Sequence, residues 1–516
     1  MTTYSYPGVY VQEVNTGNKP IEGVSTSIVG FLGIAQRGPT VATFISSYAD
    51  FVRAFGSYYK DSNGNPLSYL AYAVEGFFLN GGQQCWVARV TSSTATVGSQ
   101  KIGTTISIAA AGPGAYSSNL GFQIFAASAT PKDATKFRLE VYYWATATLA
   151  AGKDITKAFQ TEVFDNLSVD PTSSMFFPGV ISSGSNLVNV MQPPGGGNVV
   201  PTAAVQLLDG TNGTTKGSDG AALVLADFQG SSVDPTNLSG LAALAALDDV
   251  SILCCPDENS IQPRGTIAQQ LQAQCELLKD RFAILQSGLA EGKPSGVTPS
   301  AISTTGYTAY YYPWINVVDP NTDLITPIPP GGHIAGIYAR SDQEENVAKD
   351  PANEEIVGID SIQIPIDNGT QGILNPIGVN CLRYFKGQGN LVWGGRTTAS
   401  DPDWIYINVR RLFIFVEKSI QQGTQWVVFE PNDTPTWARV IRSVDAFLTT
   451  LWMQDMLQGA TKDQAFFVRC DRTTMTQADI DNGRLIVVVG IAPVKPAEFV
   501  IFQIGQWSGG SSVTES

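Results

Sequence analysis

The sequence predicts a mixed α/β fold: a discontinuous core of α/β subdomains, interrupted by an inserted β-rich domain, with a lone strand near each end. Three observations predict it. Short apolar strand-like runs alternate with helical runs over residues 27–90 and again over 220–286, the texture of a parallel sheet packed by helices. Between these stretches, residues 95–205 lose the helical period and carry Ser/Thr/Gly-rich turns and short strands. Glycine is 51 of 516 residues, well above the usual ~7%, with no collagen period, so the chain is rich in turns.

In chain order, residues 4–14 (YSYPGVYVQEV) are aromatic and β-branched and read as an extended strand, tied on by a turn-rich linker, 15–23 (NTGNKPIEG). Residues 27–35 (SIVGFLGIA) form a buried strand broken by Arg37-Gly38-Pro39. In 47–56, Tyr48, Phe51, Val52 and Phe55 fall at helical spacing and Gly56 ends the helix. A second helix over 67–80 stops at Asn80-Gly81-Gly82, and CWVARV (85–90) is the next strand. In the insertion, 121–128, 136–144 and 162–168 read as strands and 175–190 as turns. The α/β texture returns with partly helical runs at 220–228 and 238–249. A buried strand (250–256), a helix with Ile267, Leu271, Cys275 and Leu278 on one face, and a strand at 281–286 follow. Residues 498–507 (EFVIFQIGQW) are a last strand before a soft tail. The expected division is 1–23, a strand and linker; 24–94 with 206–334, the middle α/β domain; 95–205, the insertion; and 335–516, the C-terminal domain.

Composition excludes several functions. Hydrophobic residues are 43% and charged residues only 15%, enough apolar content for large cores and little charge for a surface facing only water. The net charge of −14 argues against duplex binding as the main activity, because phosphate recognition needs a basic footprint. The single histidine, His333, makes multi-His metal sites and His-dependent acid–base chemistry unfavourable readings. The six cysteines are scattered without a CxxC pair, as a reducing compartment allows. The N-terminus has neither the basic nor the apolar region of a signal peptide, and no apolar run reaches ~18 residues. A cytoplasmic place of synthesis is therefore expected.

Candidate chemistry is sparse. No GxxxxGK[ST] phosphate cradle and no GxSxG elbow between strand and helix occurs. Cys254-Cys255 ends an apolar strand; Cys254 as a nucleophile, in an enzyme or binding protein, is the alternative reading to core packing. A zinc set of Cys254, Cys255, Cys275 and His333 has the ligand count but no recognised spacing. His333 sits in a turn leading into a helix or strand. Glu344, Glu345, Glu354 and Glu355 flank Asp350-Pro351 as a solvated loop or a charged contact between subunits. No cofactor and no metal are expected.

Several blocks together carry a resemblance. SYPGVYVQEV, SIVGFLGIAQRGP and FFLNGGQQCWVARV resemble contractile tail sheath proteins. So do PPGGHIAGIYARSDQEENVAKDPANEEI, LVWGGRTTASDPDWIYINVRRLFIFVEKSI and FEPNDTPTWARVIRSVDAFLTTLWMQDMLQGATKDQAFFVRCD, in the same order along the chain. The resemblance implies a structural, non-enzymatic subunit of a phage tail, a tailocin or an extracellular contractile injection system. Hexameric rings stack helically around an inner tube, on a baseplate and under a terminator or cap. Contraction then drives the tube through a target envelope, with no direct nucleic-acid or membrane contact. Such a particle is assembled in the bacterial cytoplasm.

The resemblance also implies that the terminal strands are exchanged between subunits, through Tyr4, Val9, Tyr10, Val11 and Val14 and through Phe499, Ile501, Phe502, Ile504 and Trp507. An unpaired apolar edge is a liability unless covered, and donation to a neighbour's sheet covers it. On pattern alone each strand could equally complete the chain's own sheet. Residues 381–442 hold eight basic against five acidic residues. A polar, charged grip suits a tube that must later be released, and Arg410, Arg411, Lys418, Arg439 and Arg442 are the candidates. The same arginines equally fit pairing with acidic groups of neighbouring sheath subunits.

Overall fold

The computed structural model describes residues 20–102, 106–129, 131, 133, 135–191, 203–210, 215–289 and 296–501. Its centre is a nine-stranded sheet. From one edge to the other the strands are Glu354–Glu355, Gly389–Trp393, Val379–Phe385, Thr308–Tyr312, Phe282–Gln286, Ile252–Cys254, Val29–Gly33, Cys85–Arg89 and Thr43–Ile45. The six strands from Val379–Phe385 to Cys85–Arg89 are parallel; those outside them pair antiparallel. Every residue of Val29–Gly33, Phe282–Gln286 and Thr308–Tyr312 is buried. Burial on both faces is why these strands read as continuous apolar runs rather than alternating ones.

The two layers over the sheet show in the odd spacing of Gly30 and Gly33, which puts them on opposite faces. A Cβ at Gly30 would meet Leu244 of the helix Gly240–Ala245, and one at Gly33 would meet Leu70 of the helix Leu70–Leu79. Leu70–Leu79 packs against the helix Gly331–Glu344 closely enough that a Cβ at Gly332 would lie 2.2 Å from the Ala73 carbonyl oxygen. Only glycine permits that approach.

The insertion has its own core, built on Phe122, Leu139, Val141, Phe177 and Ile181, distinct from the one under the main sheet. It holds a four-stranded sheet (Ala203–Leu207, Leu120–Ala126, Lys136–Tyr143, Gln160–Ser168) and a three-stranded one (Ser99–Ile102, Ile106–Ala110, Val188–Met191). The expected turns at 175–190 are instead a helix, Phe177–Gly184, and the strand Val188–Met191. Phe177 and Ile181 are pulled into the insertion's core, and that burial outweighs the weak helix propensity of a Pro/Gly/Ser-rich run. Two arginines join the insertion to the main body. Arg89 donates to the carbonyls of Gly38 (2.8 Å) and Pro113 (2.9 Å). Arg37 donates to Val52 (2.9 Å) and Gln160 (2.7 Å) and lies 4.4 Å from the Tyr143 ring.

The expected boundary at 334/335 needs correction. It falls inside the helix Gly331–Glu344, and the main sheet continues beyond it to Trp393. The body that follows is helical: Ile407–Gly423 and Thr434–Met453 pack around Leu412, Val416, Val444, Phe447 and Leu448. Asp433 caps the second helix by accepting from the Thr436 amide (3.0 Å).

Candidate interaction site at the roots of the termini

The strongest constellation is where the two chain ends leave the body. On the N-terminal side, Ile21 is buried against Gly423, where a Cβ would lie 2.7 Å from its side chain. The Val24 amide donates to the Ser419 hydroxyl (3.1 Å). Arg411 donates to the Thr26 carbonyl (3.0 Å) and pairs with Asp342 (2.6 Å), both side chains almost fully buried. The Thr26 hydroxyl donates to the other side of the same pair, the Asp342 Oδ2 (2.6 Å). Three contacts thus fix residues 21–26 on the helix Ile407–Gly423, and a fourth ties Thr26 to Asp342 of the helix Gly331–Glu344.

On the C-terminal side, Asn408 donates to the Val494 carbonyl (2.9 Å). Glu498 accepts from both Nε (2.9 Å) and Nη2 (2.6 Å) of Arg396 and from Asn375 (2.5 Å). Burial would raise the Glu498 carboxyl, but these bonds from Arg396 and Asn375 outweigh it and hold it below its ordinary value. Beyond this anchor the chain is apolar and bare: Phe499 and Ile501 are 73% and 81% exposed. Residues 498–501 belong to no helix or strand. The other exchange-strand candidates, Tyr4, Val9, Tyr10, Val11, Val14, Phe502, Ile504 and Trp507, lie outside the described residues.

A cavity of about 800 Å³ opens beside this root, lined in part by Trp393, Arg396, Tyr406, Pro496 and Phe499. Asp350 sits at its wall, with Oδ1 sealed from solvent and lacking a hydrogen-bond partner. Burial, opposed by Lys349 and aided by Glu498, pushes this carboxyl up to about 8.

A two-stranded antiparallel sheet, Phe466–Arg469 with Val488–Ile491, packs on the same core as Ile21. Among the described residues neither of its outer edges has a strand beside it.

The five basic candidates divide sharply. Arg410, Arg411 and Lys418 are buried and used within the subunit, which corrects their assignment as tube contacts. Arg410 stacks 3.4 Å from the Trp404 ring centroid and 4.5 Å from that of Tyr307. Lys418 pairs with Asp280 at 3.2 Å. Arg439 is half-buried, paired with Glu430 (2.6 Å). Arg442 alone of the five is exposed. The carboxylates Glu344 and Glu345 are exposed, whereas Glu354 is an edge-strand residue paired with Lys349 and Arg340, not part of a free loop.

Cys254 is fully buried and its thiol is pushed well above the ordinary value by burial and by Glu258 and Asp257, the reverse of what a nucleophile needs. His333 lies within the first turn of the helix Gly331–Glu344, buried, its pKa lowered by burial to about 4. The anchors Glu498–Arg396 and Arg411–Asp342 were not visible in sequence, since the paired residues stand 102 and 69 positions apart.

Residues 234–398 match the phage tail sheath protein central domain and residues 399–506 the phage tail sheath C-terminal domain. The chain belongs to the phage tail sheath family. The border between the two matches falls after the last main-sheet strand and before the helix Ile407–Gly423, where the structure changes character. The tail sheath protein of Vibrio phage KVP40 is 28% identical over 287 residues, 51% of this chain and 41% of that protein. A putative prophage major tail sheath protein of Pseudomonas aeruginosa is 27% identical over 205 residues, 38% of this chain and 51% of that one. These matches thus span about half or less of the relatives' own length. The sheath protein of Burkholderia phage BcepMu is 25% identical over 464 residues, 85% of each chain. The fold is shared over nearly the whole length with solved sheath chains. In the contracted sheath complex of an extracellular contractile injection system, PVC, the TM-score is 0.58 at 22% identity, covering 98% of this chain and 99% of that one. In the contracted helical sheath of the anti-feeding prophage it is 0.57 at 23% identity, covering 98% and 100%.

Proposed function

We propose that this sheath subunit polymerises helically, in stacked hexameric rings, around an inner tube on a baseplate. Contraction of the array then drives the tube through a target envelope. The observation that carries this reading is the open-edged sheet Phe466–Arg469/Val488–Ile491 on the same core as the N-terminal root. A lone two-stranded sheet is marginal, and its bare edges invite strands from elsewhere. Strands 4–14 and 498–507 of neighbouring copies supply them by β-augmentation. A strand making about six net hydrogen bonds at ~0.5–1.5 kcal/mol each is held by several kcal/mol, enough to tether subunits while other interfaces slide.

The anchors at Arg411–Asp342 and Arg396–Glu498 give each exchanged strand a fixed point of departure, so a pull on the strand moves the body. Contraction needs no cofactor in this reading: the extended array is kinetically trapped and releases interface free energy as it shortens. Gripping of the tube falls to Arg442 and Arg439, with the polar contact a sliding partner requires. Such a subunit acts mechanically, not as an enzyme. Negative-stain microscopy of the chain expressed with its tube protein tests the reading. Striated tubes are expected; discrete particles of one or a few chains would sink it.

A further inference from the structure

Lys60 and Asp319, 259 residues apart, meet inside the subunit. Each stands in a tight reversal of the chain. Lys60 bridges to Pro66 across a loop closed by the Asp61 amide on the Asn65 carbonyl (2.9 Å) and the Leu67 amide on the Tyr59 carbonyl (2.8 Å). Asp319 begins the turn between the strands Ile315–Val318 and Ile325–Ile328, its amide on the Leu324 carbonyl (2.9 Å). The Asp319 side chain is fully buried and that of Lys60 is 13% exposed. Tyr72 donates its hydroxyl to the same Oδ2 that Lys60 contacts, and its ring lies 4.4 Å from that of Tyr58. The Asn321 amide donates to the other oxygen, Oδ1 (2.9 Å). Glu75, three residues on from Tyr72 in the helix Leu70–Leu79, accepts from the Tyr58 hydroxyl (2.6 Å). Burial, opposed by that bond and aided by the Asp319 charge, raises the Glu75 carboxyl above its ordinary value.

We propose that Lys60 and Asp319 become joined by an isopeptide bond that the folded subunit makes by itself. The step is a condensation. The bond between Lys60 Nζ and Asp319 Cγ forms, and the Cγ–Oδ2 bond breaks. The two protons that the ammonium gives up leave on Oδ2 as water, so nothing is oxidised and no co-reactant is consumed. The two oxygens are already distinguished. The Asn321 amide steadies the charge that develops on Oδ1, which stays, while Tyr72 donates to Oδ2, which leaves. Glu75 is the carboxylate that takes up the first ammonium proton and returns it to the departing water. The two closed turns hold amine and carboxyl together, which replaces an encounter in solution. Burial would raise the Asp319 carboxyl, but the bonds from Lys60 and Tyr72 hold it below its ordinary value, so the pair starts charged. A buried ion pair carries a desolvation cost that a neutral amide lacks, and this drives the condensation. The inference does not depend on the sheath reading; in a body that transmits a pull, such a bond is a tie that no load can slide apart.

The test is the intact mass of the full chain, purified folded and then unfolded in denaturant. Wild type should weigh less than its sequence by one water, and digestion should release Lys60 and Asp319 in one branched peptide. Lys60→Arg keeps the positive charge beside Asp319 but lacks the amine that forms the bond. It should fold with near-normal far-UV circular dichroism and carry its full sequence mass. On a denaturing gel it should also run more slowly than wild type, whose tied loop keeps the unfolded chain compact. Folded wild type at its full sequence mass overturns the bond. So does a water loss that persists in Lys60→Arg, or a branched peptide that joins other residues.

Discussion

Charge inside the subunit is placed where it fixes a path for the chain. Arg411 reaches Asp342 and the Thr26 carbonyl together, so one side chain neutralises a buried carboxylate and holds the N-terminal root. Arg411→Ala leaves Asp342 buried without its counter-charge, with only the Thr26 hydroxyl on it; the expected loss is about 3–5 kcal/mol in subunit unfolding by denaturant. Asp350 gives a pH signature. Its carboxyl keeps its proton to about pH 8, whereas an unfolded chain releases it near ~4. The unfolded state thus binds fewer protons between these limits, and Asp350 makes stability fall as pH rises from about 4 to about 8. Asp350→Asn should match wild type near pH 4 and gain in melting temperature up to pH 8; parallel curves would show that Asp350 titrates normally.

Among the elements, the terminal strands are set apart from everything they adjoin. The last strong anchor is Glu498 on Arg396, and the described residues after it make no ladder. Truncation after Ile501, or deletion of residues 2–14, spares both roots. Each should yield soluble subunits with near-normal far-UV circular dichroism that no longer assemble. Ordinary contractile sheaths from either truncated chain would refute strand exchange in this protein. The helices behave differently. Gly331–Glu344 and Leu70–Leu79 are locked face to face by glycines and His333, so they form the rigid part of the body.

The whole molecule is a main body with an inserted segment that has a core of its own. Thr96 and Ser218 bridge antiparallel, each amide on the other's carbonyl (2.9 and 3.1 Å), so the insertion enters and leaves the body at one point. Replacing residues 98–216 by a short Gly/Ser bridge should keep assembly, since the core under the main sheet is separate from the insertion's. Arg37 and Arg89 lose partners in that deletion, so a melting temperature lowered by several degrees is expected. Loss of all soluble, assembled material would show that the sheet needs its outgrowth.

Much of this was legible in the residues alone. The buried strands announced themselves as apolar runs, and the helix Tyr48–Phe55 by its i, i+3, i+4, i+7 spacing and terminal Gly56. The texture changes after Thr91, before a stretch that the structure gives a core of its own, and the ordered blocks from 5 to 471 pointed to the sheath family. The tertiary structure alone decided what the charges do. From sequence, Arg410, Arg411 and Lys418 belong to the net-basic stretch 381–442 and are candidates for the tube contact. Their partners Asp342 and Asp280 arrive from 69 and 138 residues away, and Trp404 and Tyr307 close over Arg410. Periodicity reports which residues share a helix face, but not what a distant segment brings to that face. The same limit hid the Glu498 anchor and the sealed Asp350, because each depends on non-local contacts that leave no local pattern.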